Sequence, residues 1–189
     1  MEVEYCKSIE LYEDGIGSVE YVQHMGSDLT IVNSARVSFG KHKKSLDTRD
    51  RKLVAYLIEH KHTSTFEHNV VTFRFNVPLY VRSQHHRHRT WSYNEISRRY
   101  TDVNIAFYEP EAFRTQHKSN RQASDSENLI NPVLEFGGEA SCSELVAAHH
   151  GRCLYLYDNL IDAGVCREQA RGVLPQNMYT QYYGTVNLN

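Results

Sequence analysis

The sequence predicts a mixed α+β fold, with strands and flanking helices but no dinucleotide-binding βαβ unit. Three observations lead there. Residues 69–77 alternate strictly: Val71, Phe73, Phe75 and Val77 face one way, and Val70, Thr72, Arg74 and Asn76 the other. That period of two marks a strand with one face on a core. Two segments carry helix start signals ahead of apolar residues at helical spacing. They are Asp47 before Leu53, Tyr56, Leu57 and His60, and the Ser141–Glu144 capping box before Val146, Cys153 and Leu160. Finally, Gly15-Ile16-Gly17 lacks the third glycine and the strand-turn-helix setting of a dinucleotide site, and there is no P-loop.

Taken in order, residues 3–10 and 18–24 read as strands around a turn at Glu13-Asp14-Gly15. Ser27 or Asp28 can cap a helix to about residue 38, with Leu29, Val32 and Ala35 on one face. Residues 41–44 form a basic loop, and the Asp47-capped helix follows. Pro78 ends the strand at 69–77 and can open a helix running to about Arg87 or His88. Residues 90–97 then read as an ordered loop, 99–107 as a strand, and 114–138 as a polar excursion. The Ser141-capped helix puts His149 or His150, and Leu156 or Tyr157, inward, with Gly164 at its C′ position. A last helix from about Arg167 should kink at Leu174-Pro175.

A chain of 189 residues with 40% hydrophobic content fits a single domain with a real core, spanning residues 1–189 and including the excursion at about 114–140. A net charge of −2 argues against a general nucleic-acid or membrane-surface binder. No apolar run approaches the ~20 residues of a membrane span, and the acidic start does not resemble a signal peptide, so a cytoplasmic protein is expected.

Within this acidic whole, residues 81–100 hold Arg82, Arg87, Arg89, Arg98 and Arg99 against one acid, Glu95. His85, His86 and His88 can add charge below about pH 6.5. A solvated helix face would intersperse acids, so an anionic ligand is expected here. Arginine forks suit phosphate. Gln84, Ser92, Asn94 and Ser97 offer neutral hydrogen bonds of the kind that position a ring or a sugar. Phosphate plus base is the economical reading.

Other chemistries fit less well. His60, His62, His68 and the 85–88 cluster match no zinc spacing, and no metal is expected. Cys6, Cys142, Cys153 and Cys166 form no C-x-x-C pair and lie outside the basic stretch, so they read as structural rather than nucleophilic. The rival function is a non-catalytic nucleotide- or RNA-binding protein using residues 82–100, with Trp91, Tyr93 and Tyr100 as a stacking platform.

Arg87-His88-Arg89, seven further residues and then Ser97 resemble the signature of the flavin-dependent thymidylate synthases, continuing as SYNEIS-R-RY. HKHTSTFEHNVVTFRFNVPLYVRSQ, DLTIVNSARVSF, the helix at 48–61 and AGVCREQARGVLPQNMYTQYYGTVN are similar to their family counterparts in the same order, leaving only 114–140 outside. The resemblance implies a family-specific fold with a central antiparallel-type sheet. It also implies reductive methylation of dUMP to dTMP, with 5,10-methylenetetrahydrofolate as carbon donor and NADPH as reductant through FAD. It implies further that no enzyme nucleophile is needed and that a homotetramer shares its active sites between subunits. Carried over, Arg87, His88, Arg89, Glu95, Ser64, His62 and Asn187 are flavin contacts, with His62 also close to the folate. Gln84, Arg87, Glu95, Ser97, Arg99 and Arg171 are dUMP contacts, Ser97 and Arg99 at the phosphate and Arg171 near the uracil. Arg87, Ser97 and Arg171 form the catalytic set. Ser64-Thr65 stands where the family tends to have Thr-Pro, and relative to the family the chain is expected to be short at its C-terminus, by a helix and a segment with a further arginine.

Overall fold

The computed structural model describes residues 7–189, in chain order β1 (Ser8–Glu10), β2 (Ser18–Met25), α1 (Asp28–Arg36), α2 (Thr48–Glu59), β3 (Val70–Pro78), α3 (Leu79–His85), β4 (Ser92–Glu95), β5 (Phe113–Gln116), β6 (Ser124–Ile130), β7 (Val133–Glu135), β8 (Glu139–Ser141), α4 (Cys142–Asp162), α5 (Arg167–Ala170) and β9 (Tyr179–Asn187). Positions 3–6 of the first expected strand, and Cys6, lie outside the described residues. The chain packs as two compact units. One runs up to Val77 and adds Val81–Ile96 and Thr180–Asn189; the other comprises Pro78–Tyr80 and Ser97–Tyr179. No helix among the described residues is long and apolar enough to cross a membrane. The architecture is the mixed α and β class with antiparallel sheets and flanking helices.

The first unit is built on a five-stranded sheet of order β1-β2-β3-β9-β4. β1–β2, β2–β3 and β4–β9 pair antiparallel. Between β3 and β9, Thr72 meets Thr185, Phe75 stacks on Tyr182, and Leu188 N–H donates to the Asn69 carbonyl. Those contacts run in opposite senses, as an antiparallel pair requires. The alternation along β3 has the expected chemistry on each face. On the polar face Thr72 bonds Thr185, Arg74 pairs with its registered partner Glu20, and Asn76 Nδ2 donates to the Ile16 carbonyl. On the other, Phe73 meets Tyr21, and Phe75 meets Tyr182 and Trp91. Burial does not alternate, because both faces are partly covered.

Ser27 caps α1 and Asp47 caps α2, its carboxylate accepting from the N–H groups of Arg49 and Asp50. The expected stripe on α2 is narrower than its sequence spacing: Leu57 is buried, whereas Tyr56 and His60 are exposed and stack on each other at 3.9 Å. Asp50 is fully buried and holds Arg36 at 2.6 Å and Lys43. The hydrogen bond from Lys43 leads the causes that hold its carboxyl well below the usual carboxylate range. A lowered folded-state pKa stabilises above the unfolded value of about 4 and is lost as pH falls below it. The melting-temperature gap between wild type and Asp50→Asn is therefore expected to narrow between pH 6 and pH 3; a constant gap contradicts this role.

Five elements differ from expectation. Residues 92–95 form β4 rather than a loop, pairing with residues 182–185 of β9. Residues 99–107 form no strand. Arg98 takes the Val103 and Asn104 carbonyls, Asn104 adopts φ +55°, and only Phe107 bridges to Met178. The excursion folds into two hairpins, β5–β6 and β7–β8. The last helix stops at Ala170, a 3-10 turn covers Arg171–Val173, and β9 follows where a kinked helix was expected. α3 likewise ends at His85, short of Arg87.

In the second unit, Tyr157, Ala170, Leu174 and Met178 form the core, joined by Leu79, Ile105 and Phe107. α4 begins at the Ser141–Glu144 capping box and turns inward at His150 and Tyr157, not at His149 or Leu156. Gly164 follows it with φ +87°, as a C′ glycine should. Cys142 and Cys153 are half-buried, while Cys166 is exposed at the start of α5.

Candidate functional site

In the first unit, residues 81–96 of the basic stretch sit on an aromatic platform. His85, at the end of α3, contacts the rings of Trp91 at 4.6 Å, Phe75 at 4.8 Å and Tyr93 at 5.3 Å, and its Nδ1 lies 2.8 Å from the Tyr182 hydroxyl. Phe75 and Tyr182 stack at 5.0 Å. Gly184 makes room for this packing, since a Cβ there would stand 2.9 Å from Phe75 and 3.1 Å from Trp91. Tyr93 stacks on His86 at 4.0 Å, and its hydroxyl donates to the carbonyls of His85 (2.8 Å) and His88 (3.2 Å). β4 thus pins both ends of the turn that carries Arg87. Tyr182 and Gly184 escaped the sequence reading, and Tyr93 entered it only as part of the rival stacking platform; the tyrosines at 179, 182 and 183 were the signal that could have found Tyr182.

Two of the five arginines are occupied. Arg82 Nε donates to Glu95 Oε1 at 3.0 Å, and the Thr180 hydroxyl donates to the same oxygen at 2.6 Å. Arg98, 7% exposed in the second unit, is spent on backbone carbonyls. The uncompensated charge therefore resides on Arg87, Arg89 and Arg99, all exposed. Among the described residues Arg87 and Arg89 meet no acid, and Arg99 lies over the Tyr100 ring at 5.3 Å. His85 and His86 add less charge than expected near pH 6.5. Burial lowers His85, with His86 and His88 contributing, and burial followed by the Arg82 charge lowers His86.

The remaining expected site residues divide between the units. His62, Ser64, Gln84, Arg87, His88, Arg89, Glu95 and Asn187 belong to the first. His62 and Ser64 are exposed at a 3-10 turn (Thr63–Thr65), Gln84 and His88 are exposed around the end of α3, and Asn187 ends β9 with its Oδ1 accepting from the Asn189 N–H. Ser97, Arg99 and Arg171 belong to the second. Ser97 Oγ accepts from the Arg99 N–H at 3.3 Å, and Arg171 Nε donates to the Glu168 carbonyl at 3.3 Å. The donor set suits a flavin dinucleotide: two exposed guanidiniums that meet no acid among the described residues, a hydroxyl and a carboxamide match diphosphate and ring-edge acceptors. The stacking platform of the rival reading does not form as expected, because Trp91 and Tyr93 are packed into the cluster around His85 and only Tyr100 is fully exposed.

Comparison with known proteins agrees. The family model described as thymidylate synthase complementing protein matches residues 20–189. A flavin-dependent thymidylate synthase of Thermus thermophilus is 43% identical over 173 residues, covering 92% of this chain and 60% of that protein. One from Kosmotoga olearia is 40% identical over 174 residues, covering 90% of this chain and 71% of that protein. A solved structure of the UMP/dUMP methylase PolB from Streptomyces cacaoi, bound with 5-Br dUMP, superposes with a TM-score of 0.75 at 34% identity, covering 95% of this chain and 76% of that one. The chain thus spans about three-fifths of the Thermus relative's length. With an Arg87-His88-Arg89 turn pinned by its own sheet and this match along almost its whole length, the chain belongs to the thymidylate synthase complementing protein family.

Proposed function

We propose that this chain is a flavin-dependent thymidylate synthase acting on dUMP, with both compact units serving one catalytic domain. FAD is the cofactor, NADPH and 5,10-methylenetetrahydrofolate are co-substrates, and the assembly is a cytoplasmic homotetramer with shared sites. The observation that carries the reading is the exposed pair Arg87 and Arg89, which meet no acid among the described residues, on a turn held by the half-buried Tyr93, in a chain with relatives named for flavin dependence. When bound, FAD supplies hydride chemistry toward the uracil ring, and the protein contributes binding, orientation and electrostatics.

In this reading Arg87, His88 and Arg89 hold the flavin with Ser64, His62 and Asn187. Ser97 and Arg99 hold the dUMP phosphate, while Gln84, Arg87 and Arg171 orient the nucleotide. Glu95, fixed through Oε1 by Arg82 and Thr180, keeps its second oxygen for a ligand N–H. The half-buried Cys142 and Cys153 are not needed as nucleophiles. Ser97→Ala and Arg99→Ala are expected to weaken dUMP binding measured by calorimetry, Arg99→Ala by about 10-fold or more, because a charge-assisted bond to phosphate contributes about 1.5–3 kcal/mol. Flavin occupancy should stay at the wild-type level. Unchanged dUMP affinity in both variants contradicts the assignment.

A further inference from the structure

Three residues proposed for dUMP lie in the second unit on two separated pieces of chain. Ser97 and Arg99 sit on the turn after β4, and Arg171 opens the 3-10 turn after α5. One ion pair joins the pieces: Arg167, the first residue of α5, donates from Nη2 to Asp102 Oδ2 at 3.0 Å. Each end of the pair is rigidly connected to a substrate residue. Arg98 donates to the carbonyls of Val103 at 2.7 Å and Asn104 at 3.3 Å, and the Tyr100 and Thr101 N–H groups bond the Ser97 carbonyl, so residues 97–104 form a closed loop carrying Asp102. On the other side Arg167 and Arg171 are one helical turn apart, with the fully buried Ala170 anchoring the turn between them.

We propose that the Arg167–Asp102 pair is a positioning device for the nucleotide monophosphate: it sets the separation between the phosphate-binding turn at Ser97 and Arg99 and the base-facing Arg171. The inference rests on the substrate assignment above. The pair is not a stability element, because its side chains are 43% and 46% exposed, and ion pairs in that setting add little to folding. It also sets geometry against charge. An acid beside a phosphate site weakens anion binding by Coulomb repulsion alone, so a purely electrostatic role predicts tighter dUMP binding when Asp102 is neutralised. Positioning predicts the reverse.

The test measures dUMP affinity by calorimetry and melting temperature on the full chain, comparing wild type with Asp102→Asn, Arg167→Gln, the conservative Asp102→Glu and the exchanged double variant Asp102→Arg/Arg167→Asp. Both neutral variants are expected to weaken dUMP about two- to fivefold, in line with the modest strength of an exposed pair, with melting temperature unchanged. Asp102→Glu and the exchange are expected to recover most of that loss. Tighter or unchanged binding by Asp102→Asn overturns the positioning role while leaving the substrate assignment intact, as does an exchange that binds no better than the single variants. A wild-type chain that binds no dUMP overturns the substrate assignment itself, and the proposal with it.

Discussion

Arg87→Ala is expected to strip the flavin from the protein and to weaken dUMP as well, leaving the fold in place. The side chain is exposed and meets no acid among the described residues, so its removal breaks no ion pair there. Surface changes of that kind fall within about 0.5 kcal/mol of wild-type stability. A guanidinium bonded to phosphate is a different matter: charge-assisted bonds contribute about 1.5–3 kcal/mol each, or roughly 10- to 150-fold in affinity. Arg87→Lys should recover little, because an ammonium cannot reproduce the planar fork. Flavin absorbance after gel filtration reads the result. Full occupancy in Arg87→Ala contradicts the role given to this residue.

Tyr182→Ala is expected to act through the scaffold instead, with the largest loss of stability of any substitution near the site. The ring is 1% exposed, stacks on Phe75 at 5.0 Å and meets His85 through its hydroxyl. Burial pushes that hydroxyl's pKa well above its ordinary value, so it remains a donor throughout the working range. Truncating a buried aromatic costs about 3–5 kcal/mol, a large share of the roughly 5–15 kcal/mol that holds a domain folded. Tyr182→Phe keeps the stack and gives up one hydrogen bond, about 0.5–1.5 kcal/mol. Denaturant midpoints should therefore separate the two variants clearly. Equal losses would mean that the hydroxyl, not the packing, holds the platform.

These two residues also mark how far the sequence could be read. Arg87 was legible because its signal is local: a basic run within twenty positions, next to an alternating strand and a proline. The caps at Asp47 and Ser141 were legible for the same reason, since a side chain and the N–H groups it serves lie within three residues. Tyr182 was not legible, because β9 owes its conformation to partners far away in sequence, β3 on one edge and β4 on the other. Leu174-Pro175 suggested a kinked helix there, and only the pairing decides for a strand. Arg98 was misread for a related reason. An arginine is rarely buried, and nothing local says that residues 103 and 104 will turn their carbonyls toward it. The positive stretch was real, but which of its charges were already spent depended on Glu95, Thr180 and that loop.

The measurement that tests the central claim most directly is a titration of the purified chain with FAD and then dUMP, followed by visible absorbance, with dTMP assayed after adding NADPH and methylenetetrahydrofolate. The account predicts stoichiometric flavin binding, a change in the flavin spectrum when dUMP is added, and both effects reduced in Arg87→Ala. A chain that binds neither FAD nor dUMP, or that binds flavin with a spectrum indifferent to dUMP, contradicts it.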